Sequence, residues 1–339
     1  MTTAWSAARA AAAAARVTLV LGSTDAGKTT LVTRLAGALA EAGHAVAVVD
    51  ADLGQSDVGP PTTVGLGRVR GPIERLAQAE LLALEFLGAT SPVRCLRETA
   101  EATARLVRGA LDLGCNRVLV DTSGLVEGAL GRALKRLKID RVAPDVLLAL
   151  QRAEECEPIL RACGETGPII VRLPVSPTVR RSPAARRQAR RRALDAYLAG
   201  AVAVTLDLAR VRVRPAPAAR GLTVAEAEGV LVGLESADGG TLGLGWLSAL
   251  DLGRAQLTVH TTVVPACIAA VAFGRERCPM RCRRVSAPAP ARQRAGALTL
   301  SSGSARGGAA RRGTAWRAAR RRGGRRHGRR RGGRRRGWR

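Results

Sequence analysis

A glycine-bounded segment near the N-terminus carries the residue types that hold a triphosphate. Residues 22–29 read Gly-Ser-Thr-Asp-Ala-Gly-Lys-Thr and fit the pattern GxxxxGK[ST] at every position. Such glycines let the backbone turn its N–H groups towards a phosphate at the start of a helix. The amine of Lys28 can neutralise the β- and γ-phosphates, and the hydroxyl of Thr29 can bind Mg²⁺. We therefore predict a phosphate-binding loop (P-loop) that binds ATP or GTP together with Mg²⁺. The residues predicted to bind the nucleotide are Gly22, Ser23, Thr24, Asp25, Ala26, Gly27, Lys28, Thr29 and Thr30.

Two further segments place aspartates directly after apolar strands. Asp50 and Asp52 follow the run 45–49, and Asp121 follows the run 117–120. Both strand ends deliver carboxylates to the same edge of the predicted sheet. Phosphoryl transfer uses one carboxylate near the magnesium ion and often another that takes the acceptor's proton. Aspartate after a strand is also a common turn or cap residue. Spacing alone does not choose among the three.

A third group of candidate residues is the arginine-rich stretch 179–199. Seven arginines fall within residues 180–192, on every side of the predicted helix. A solvated surface helix is one interpretation. The other is a lid whose guanidinium groups close over the γ-phosphate, stabilise charge in the transition state and contact a nucleic-acid backbone.

Nearly all basic residues of the chain are arginines, and many of them lie near its C-terminus. Of 55 lysines and arginines, only Lys28, Lys135 and Lys138 are lysines. This bias suggests a genome rich in G and C, so each retained lysine needs a reason. The formal net charge is +28, but 21 arginines lie between residues 281 and 339, where no acidic residue occurs. Most of the charge therefore describes a tail and not a binding surface on the fold.

The elements that position these residues are predicted from apolar patterning. Between residues 16 and 211, short runs that are apolar throughout alternate with helical stretches, which is typical of a parallel sheet covered on both faces. We therefore predict an α/β fold, a P-loop NTPase domain with a mostly parallel sheet and helices on both faces. An alanine-rich leader, a helix or a frayed segment, occupies 1–15. Short strands separated by glycine turns predict a small β-rich domain over 212–275.

The segment 276–339 is rich in Arg and Gly and lacks apolar periodicity, so we predict a disordered basic tail. Two explanations stay open. The tail can bind RNA nonspecifically through charge and through Trp316 and Trp338. Alternatively, the gene is read in a shifted frame from about residue 275, which the abrupt loss of acids and periodicity slightly favours.

The cellular setting predicted from the sequence is the cytoplasm. No run of 18 apolar residues is present, so no membrane partner is expected. Seven cysteines are scattered without a CxxC pair, which favours reduced thiols over a disulfide framework or a zinc site.

Taken together, these segments resemble the polynucleotide 5′-hydroxyl kinase family, which includes RNA kinases of pre-mRNA cleavage, tRNA splicing and ribosomal RNA processing. The resemblance covers about residues 17–270. Besides the P-loop and a glycine-rich β segment after residue 229, the matching motifs are Asp52-Leu-Gly-Gln55, Gly88-Ala-Thr-Ser91-Pro92, Asp121-Thr-Ser-Gly124 and Arg181…Arg186.

The resemblance implies a role for each matching residue. Lys28 and Thr29 would bind triphosphate and magnesium, and Asp52 would activate the 5′-hydroxyl or organise the metal's water. Gln55 would lie near the acceptor. Thr122 and Gly124 would belong to a loop that clasps the Lys28 region, and Arg181 and Arg186 would belong to the lid. The metal would be bound by Thr29, Asp52 and Asp121. One departure is Leu125, which stands where some eukaryotic members carry tryptophan.

We therefore expect a Mg²⁺-dependent kinase that transfers the γ-phosphate of ATP or GTP to the 5′-hydroxyl of RNA or DNA. One alternative is a P-loop ATPase or GTPase switch that acts through a protein partner. Asp121-Thr-Ser-Gly124 resembles the DxxG element of GTPases, but Leu137-Lys138-Ile139-Asp140 lacks the Asn or Thr of a guanine-reading motif. A non-catalytic nucleic-acid-binding scaffold is the third and least favoured hypothesis.

Overall fold

The structure is a computed structural model that describes residues 2–175, 181–223 and 228–278. The helices are α1 Thr2–Ala14, α2 Lys28–Glu41, α3 Leu96–Asp112, α4 Gly128–Val142, α5 Glu157–Leu160 and α6 Pro183–Tyr197. The strands up to the arginine-rich stretch are β1 Val17–Gly22, β2 Val46–Ala51, β3 Thr63–Val69, β4 Glu80–Phe86, β5 Arg117–Thr122, β6 Val146–Gln151 and β7 Ile169–Pro174. The later strands are β8 Val202–Asp207, β9 Arg212–Pro215, β10 Val230–Glu235, β11 Thr241–Asp251, β12 Gln256–Thr261 and β13 Ala270–Arg277.

Five parallel strands form the centre of the first half in the order β7-β6-β1-β5-β2. Their alternating side chains supply two separate cores. Leu19 and Leu21 of β1 belong to a cluster with α3 and α4, whereas Val20 belongs to a cluster with α1 and α2. A strand that is buried on both faces must be apolar at every position, which explains the unbroken apolar runs. The predicted α/β fold with a mostly parallel sheet and helices on both faces is confirmed.

The register between β2 and β5 brings the predicted acids together. Asp50 lies directly beside Asp121, and Ala51 lies beside Thr122. Both strands end here, so the loops after them leave the sheet at the same edge. This is also the edge at which β1 ends and α2 begins.

Strand β3 was not predicted from the sequence. It pairs antiparallel with β2 and with β4, and it contains Gly65 and Gly67, which lower strand propensity. A Cβ at Gly65 would lie 1.8 Å from the carbonyl oxygen of Val58. The glycine therefore allows the loop after β2 to fold back against the sheet.

The alanine-rich segment at the N-terminus forms α1, whose Ala8 and Ala12 are buried. Trp5 of this helix lies under the guanidinium of Arg34 on α2, 4.6 Å from the ring centroid. Among the described residues, no helix has the length and apolar character needed to cross a membrane.

Strands β8 to β13 surround a third apolar cluster that includes Val232, Leu257 and Phe273. They join the first half through a pairing of β4 and β11, with Leu84 beside Thr241. The division predicted at residue 211 stays a prediction, since β8 lies ahead of it and pairs with β12. The tail was predicted to begin at residue 276, and β13 ends at Arg277. Residues 279–339 lie outside the described residues, so neither explanation of the tail is tested.

Candidate active site

The loop between β1 and α2 has the backbone shape that the glycine pattern predicts. Gly27 adopts φ 88°, a left-handed conformation that glycine enters without a Cβ penalty, and α2 begins at the next residue. The first N–H groups of a helix have no partner within it and carry the positive end of the helix dipole. The loop therefore presents a ready site for an anion.

Lys28 is folded back over this loop. Its Nζ donates to the carbonyl oxygen of Ser23 at 2.8 Å, and the side chain is buried. Burial lowers the pKa of Lys28, while the negative charges of Asp121 and Asp52 act in the opposite direction. An ammonium whose hydrogen bond goes to a neutral carbonyl is ready to exchange that partner for a charged phosphate.

Thr29 and Asp121 form the second element of the site. The Thr29 hydroxyl donates to Asp121 Oδ2 at 2.6 Å. The other oxygen, Asp121 Oδ1, is buried and has no hydrogen-bond partner among the described residues. Burial raises the pKa of Asp121 to about 6, against the lowering effects of Lys28 and of the Thr29 hydrogen bond. Hydroxyl and carboxylate oxygens are the ligands that Mg²⁺ prefers, so the orphaned oxygen fits the implied metal.

Asp50 has a different environment. It is 1% exposed, and Oδ1 accepts from the Asp52 N–H at 3.0 Å. Its Oδ2 accepts from the N–H groups of Asp57 at 2.6 Å and Val58 at 3.1 Å, and from the Ser56 hydroxyl at 3.3 Å. Both oxygens are thus used to fold the loop after β2. Of the three aspartates left open by the sequence, Asp50 organises the loop.

Asp52 lies in the first turn of that loop. Its Oδ1 accepts from the N–H groups of Gly54 at 2.9 Å and Gln55 at 3.1 Å. Its Oδ2 takes no part in these two hydrogen bonds, and Gln55 Nε2 is buried without a partner among the described residues. A Cβ on Gly54 would lie 2.9 Å from the Thr90 carbonyl oxygen, so the loop packs against the 88–92 motif. The structure therefore brings the Asp52, Gln55 and Thr90 segments together.

The loop after β5 contacts the P-loop directly. A Cβ on Gly124 would lie 2.4–2.6 Å from Oγ1, Cα and N of Thr24, so a side chain cannot be placed there. Thr122 Oγ1 donates to the Val20 carbonyl at 2.7 Å, and Ser123 Oγ is buried without a partner in the described part of the chain. The predicted clasp residues Thr122 and Gly124 therefore lie against β1 and its loop.

The arginine-rich helix starts beside the P-loop. Ser182 caps α6 by accepting from the Ala185 N–H at 3.1 Å. The Asp25 Oδ2 atom accepts from the backbone N–H of Arg181 at 3.1 Å and from Arg186 Nη1 at 3.2 Å. At the other end of the helix, Leu194 is buried against the β-rich half. Residues 179 and 180 of the predicted lid lie outside the described residues.

A cavity of about 600 Å³ opens between these segments. Sequence reasoning missed two residues that line it, Arg152 and Glu155. Arg152 donates to Ser23 Oγ at 2.8 Å and to the Asp25 carbonyl at 2.9 Å, and Glu155 Oε1 accepts from Ser23 Oγ at 3.2 Å. Both residues follow β6, which ends at the same edge of the sheet as β1. Their place directly after a predicted strand was the one sign in the sequence that they could reach the site. Leu125, which stands where some eukaryotic members carry tryptophan, also lines the cavity.

Lys135 and Lys138 were noticed only for their rarity, and both lie within this region. Lys135 Nζ donates to Thr122 Oγ1 at 2.9 Å and also to the Ser123 carbonyl, and Lys138 Nζ donates to the Ala51 carbonyl at 2.9 Å. Because Lys138 is fully buried in these contacts, it is unavailable to read a guanine base.

The first strand of the parallel sheet ends in the P-loop, and the hydrogen-bonded pair of Thr29 and Asp121 lies beside it. These features define a P-loop nucleotide-binding protein. The chain belongs to the family described as mRNA cleavage and polyadenylation factor CLP1 P-loop, whose model matches residues 22–200.

Sequence relatives agree with that family. The polyribonucleotide 5′-hydroxyl-kinase of Thermococcus kodakarensis is 39% identical over 170 residues, which are 50% of this chain and 47% of that protein. The polyribonucleotide 5′-hydroxyl-kinase of Pyrococcus furiosus is 35% identical over 211 residues, 62% of this chain and 58% of that protein. The chain thus spans about half the length of the curated relatives it matches. The resemblance to the polynucleotide 5′-hydroxyl kinases is confirmed.

The fold also has a solved counterpart. The wild-type Clp1p–Pcf11p complex contains a chain that is similar with a TM-score of 0.59 and 14% identity, over 77% of this chain and 74% of that one. At this identity the similarity concerns the fold alone.

Proposed function

We propose that this chain is a Mg²⁺-dependent polynucleotide 5′-hydroxyl kinase that uses ATP or GTP. The observation that carries the proposal is the loop 52–55 at the phosphate edge. There, Asp52 accepts from the N–H groups of Gly54 and Gln55 through Oδ1, and Gln55 Nε2 is buried without a hydrogen-bond partner among the described residues. A carboxylate oxygen and an amide N–H are suited to take the proton of a hydroxyl and to orient its oxygen. The names of the archaeal relatives support RNA as the acceptor.

Nucleotide binding rests on the P-loop and Lys28. The N-terminus of α2 receives the phosphates, and Lys28 Nζ exchanges the Ser23 carbonyl for oxygens of the β- and γ-phosphates. The exchange replaces a neutral acceptor by a charged one, which strengthens the hydrogen bond.

Thr29, Asp121 and Asp52 are the residues that would hold the magnesium ion. The Thr29 hydroxyl, which donates to Asp121 Oδ2, and the buried Asp121 Oδ1, which has no partner among the described residues, would supply ligand oxygens. When bound, Mg²⁺ neutralises charge on the β- and γ-phosphate oxygens. Gly124 keeps the Asp121 loop against the P-loop during binding.

The acceptor is activated from the side of Asp52. The 5′-hydroxyl gives its proton to Asp52 Oδ2, or to a water that Asp52 orders, and its oxygen bonds to the γ-phosphorus. The bond to the β-γ bridging oxygen breaks, and the nucleoside diphosphate leaves. The Arg186 guanidinium exchanges Asp25 Oδ2 for the transferring phosphoryl group and, together with the Arg181 guanidinium, stabilises its charge.

The test is transfer of labelled γ-phosphate to paired RNA and DNA oligonucleotides with 5′-hydroxyl ends. We expect labelled product with the wild type and none with Lys28→Ala, since that variant loses the phosphate-binding ammonium. Asp140→Asn is the matched control, because Asp140 pairs with Arg136 on an exposed helix face. Wild-type protein that hydrolyses ATP without labelling either oligonucleotide would refute the kinase and favour a P-loop switch.

A further inference from the structure

The three lysines of this chain all lie at or beside the candidate active site. The chain uses arginine at every other basic position, and its lysines are Lys28, Lys135 and Lys138. Lys28 belongs to the P-loop. Lys135 and Lys138 lie on α4, outside the motifs shared with the kinase family, and both are 0% exposed. Burial of an ammonium is costly unless it is hydrogen-bonded and paired, so two such groups need an explanation.

The two amines hold the ends of adjacent strands. They are three residues apart on α4 and so share one face of the helix. Lys135 contacts Thr122, the last residue of β5, and the carbonyl of Ser123. Lys138 contacts the carbonyl of Ala51, the last residue of β2. Ala51 and Thr122 are register partners, so α4 fastens both strand ends at one level.

Each of these strand ends leads directly into a part of the candidate active site. Asp52 is the residue immediately after Ala51, and its loop carries Gln55. Gly124 comes after Ser123 and lies against Thr24 of the P-loop. A displacement of the β2 end would therefore move the acceptor side of the site, and a displacement of the β5 end would move the nucleotide side.

Carboxylates and ammonium groups lie together in this region. Asp50, Asp52 and Asp121 act on Lys138, and Asp52 and Asp121 act on Lys135, in the direction that stabilises each ammonium. Burial is the largest effect and lowers the pKa of both amines, that of Lys138 to about 8. The positive charges of Lys138 and Lys28 lower the pKa of Lys135 further. Three carboxylates and three lysines thus share one buried region.

We propose that Lys135 and Lys138 are positioning residues of the phosphoryl-transfer site: Lys135 fixes the 122–124 loop against the P-loop, and Lys138 fixes the start of the 52–55 loop. The inference rests on the proposed kinase function. It also fits the lysine type, because a compact ammonium on a flexible stem can direct its donors to one or two buried oxygens, whereas a guanidinium has a larger, rigid plane.

The test separates the two amines by their kinetic effects. Lys135→Met is expected to raise KM for ATP about tenfold with little change in kcat. Lys138→Met is expected to lower kcat about 10²-fold with KM for ATP retained, since about 1 Å of misplacement has an effect of that order. Lys135→Arg is expected to raise KM for ATP, and Lys138→Arg to lower kcat, in each case less than the Met variant does. Arg136→Met and Arg136→Lys are the controls, since Arg136 lies between the two lysines on the exposed face.

Two further measurements keep a loss of folding from imitating the result. Active protein is counted by nucleotide titration, and thermal unfolding is recorded for each variant. If the Met variants do not fold, the Arg variants supply the comparison. Folded variants that keep the wild-type KM and kcat would overturn the inference. An equal loss of activity in the Lys135 and Lys138 variants that a smaller active fraction explains would overturn it as well.

Failure of the proposed function gives a different pattern. A wild-type protein that transfers no phosphate removes the kinase proposal. The role of Lys135 is then still decided by ATP affinity in calorimetry, where Lys135→Met should bind about tenfold more weakly than Lys138→Met.

Discussion

Two basic helices of this protein, α4 and α6, use their cations in opposite ways. On α4, Lys135 and Lys138 are fully buried and hydrogen-bonded to the ends of β5 and β2. On α6, Leu194 is the buried residue, and the arginines face solvent or the cavity. Arg186 pairs with Asp25 at 3.2 Å. Buried cations fix the loops that carry the acids, whereas exposed cations stay available for a substrate.

The difference has an energetic basis. Breaking a buried, hydrogen-bonded charge leaves its partners uncompensated and costs several kcal/mol, about 3–5 in measured cases. An ion pair that is partly exposed, such as that of Arg186 with Asp25, is worth about 0–1 kcal/mol and can be exchanged for a phosphate. Loss of an acid held by the buried part of the site should therefore have a larger effect on transfer than loss of an arginine on α6.

A large effect is expected for Asp121→Asn. The amide can still accept from Thr29, but it lacks the charge that the metal needs, so we expect transfer to fall about 10³-fold. The rate is measured across a Mg²⁺ titration, where the variant should require more magnesium. Asp140→Asn serves again as the control, and an unchanged magnesium requirement in Asp121→Asn would contradict the assignment.

Arg186→Ala should have the next largest effect. Loss of one charged donor to the transferring phosphoryl group is expected to lower kcat about 10²-fold, with nucleotide affinity retained. Arg187→Ala, on the exposed side of the same helix, is the control. Equal effects of the two variants would mean that α6 acts as an undifferentiated basic surface and not as a lid.

Gly124→Ala tests the contact between the two loops. Its new Cβ would overlap Thr24, and overpacking of this kind costs about 1–3 kcal/mol. We expect about tenfold weaker ATP binding in calorimetry, with the fold retained. Gly71→Ala is the control, because no atom of the described residues lies within 4 Å of the added Cβ. Wild-type affinity in Gly124→Ala would show that the loop does not position the P-loop.

The smallest effect is expected at the exposed arginines of α6. Arg187→Ala should weaken oligonucleotide binding about two- to threefold and lower the salt dependence by about one counterion. Binding is measured by fluorescence anisotropy at several salt concentrations. An unchanged salt slope would remove α6 from the nucleic-acid interface.

The sequence predicted the local parts of this site and left the long-range parts open. The P-loop was predictable because eight consecutive residues determine it, Gly27 and Lys28 included. The roles of Asp50 and Asp52 were not predictable, since Asp50 is distinguished by the N–H groups of Asp57 and Val58, which reach it when the loop folds back. The parallel sheet was predictable from the buried apolar runs of its strands.

Other features depend on tertiary contacts that leave little trace in the sequence. Arg152 reaches Ser23 from the end of a different strand. Strand β3 escaped prediction because Gly65, which weakens the strand pattern, is required by the Val58 carbonyl. The rarity of lysine did mark Lys135 and Lys138, but only the structure shows which carbonyls they contact.

The central claim is that Asp52 serves a 5′-hydroxyl acceptor next to a P-loop nucleotide. The most direct test is single-turnover transfer from γ-labelled ATP to a 5′-hydroxyl oligoribonucleotide by wild type and Asp52→Asn, with a 5′-phosphorylated oligonucleotide as the blank. We predict labelled product with the wild type, none with the blank, and about 10³-fold slower transfer by Asp52→Asn at unchanged ATP affinity. Equal transfer by both proteins, or ATP hydrolysis by the wild type without labelled RNA, would contradict it.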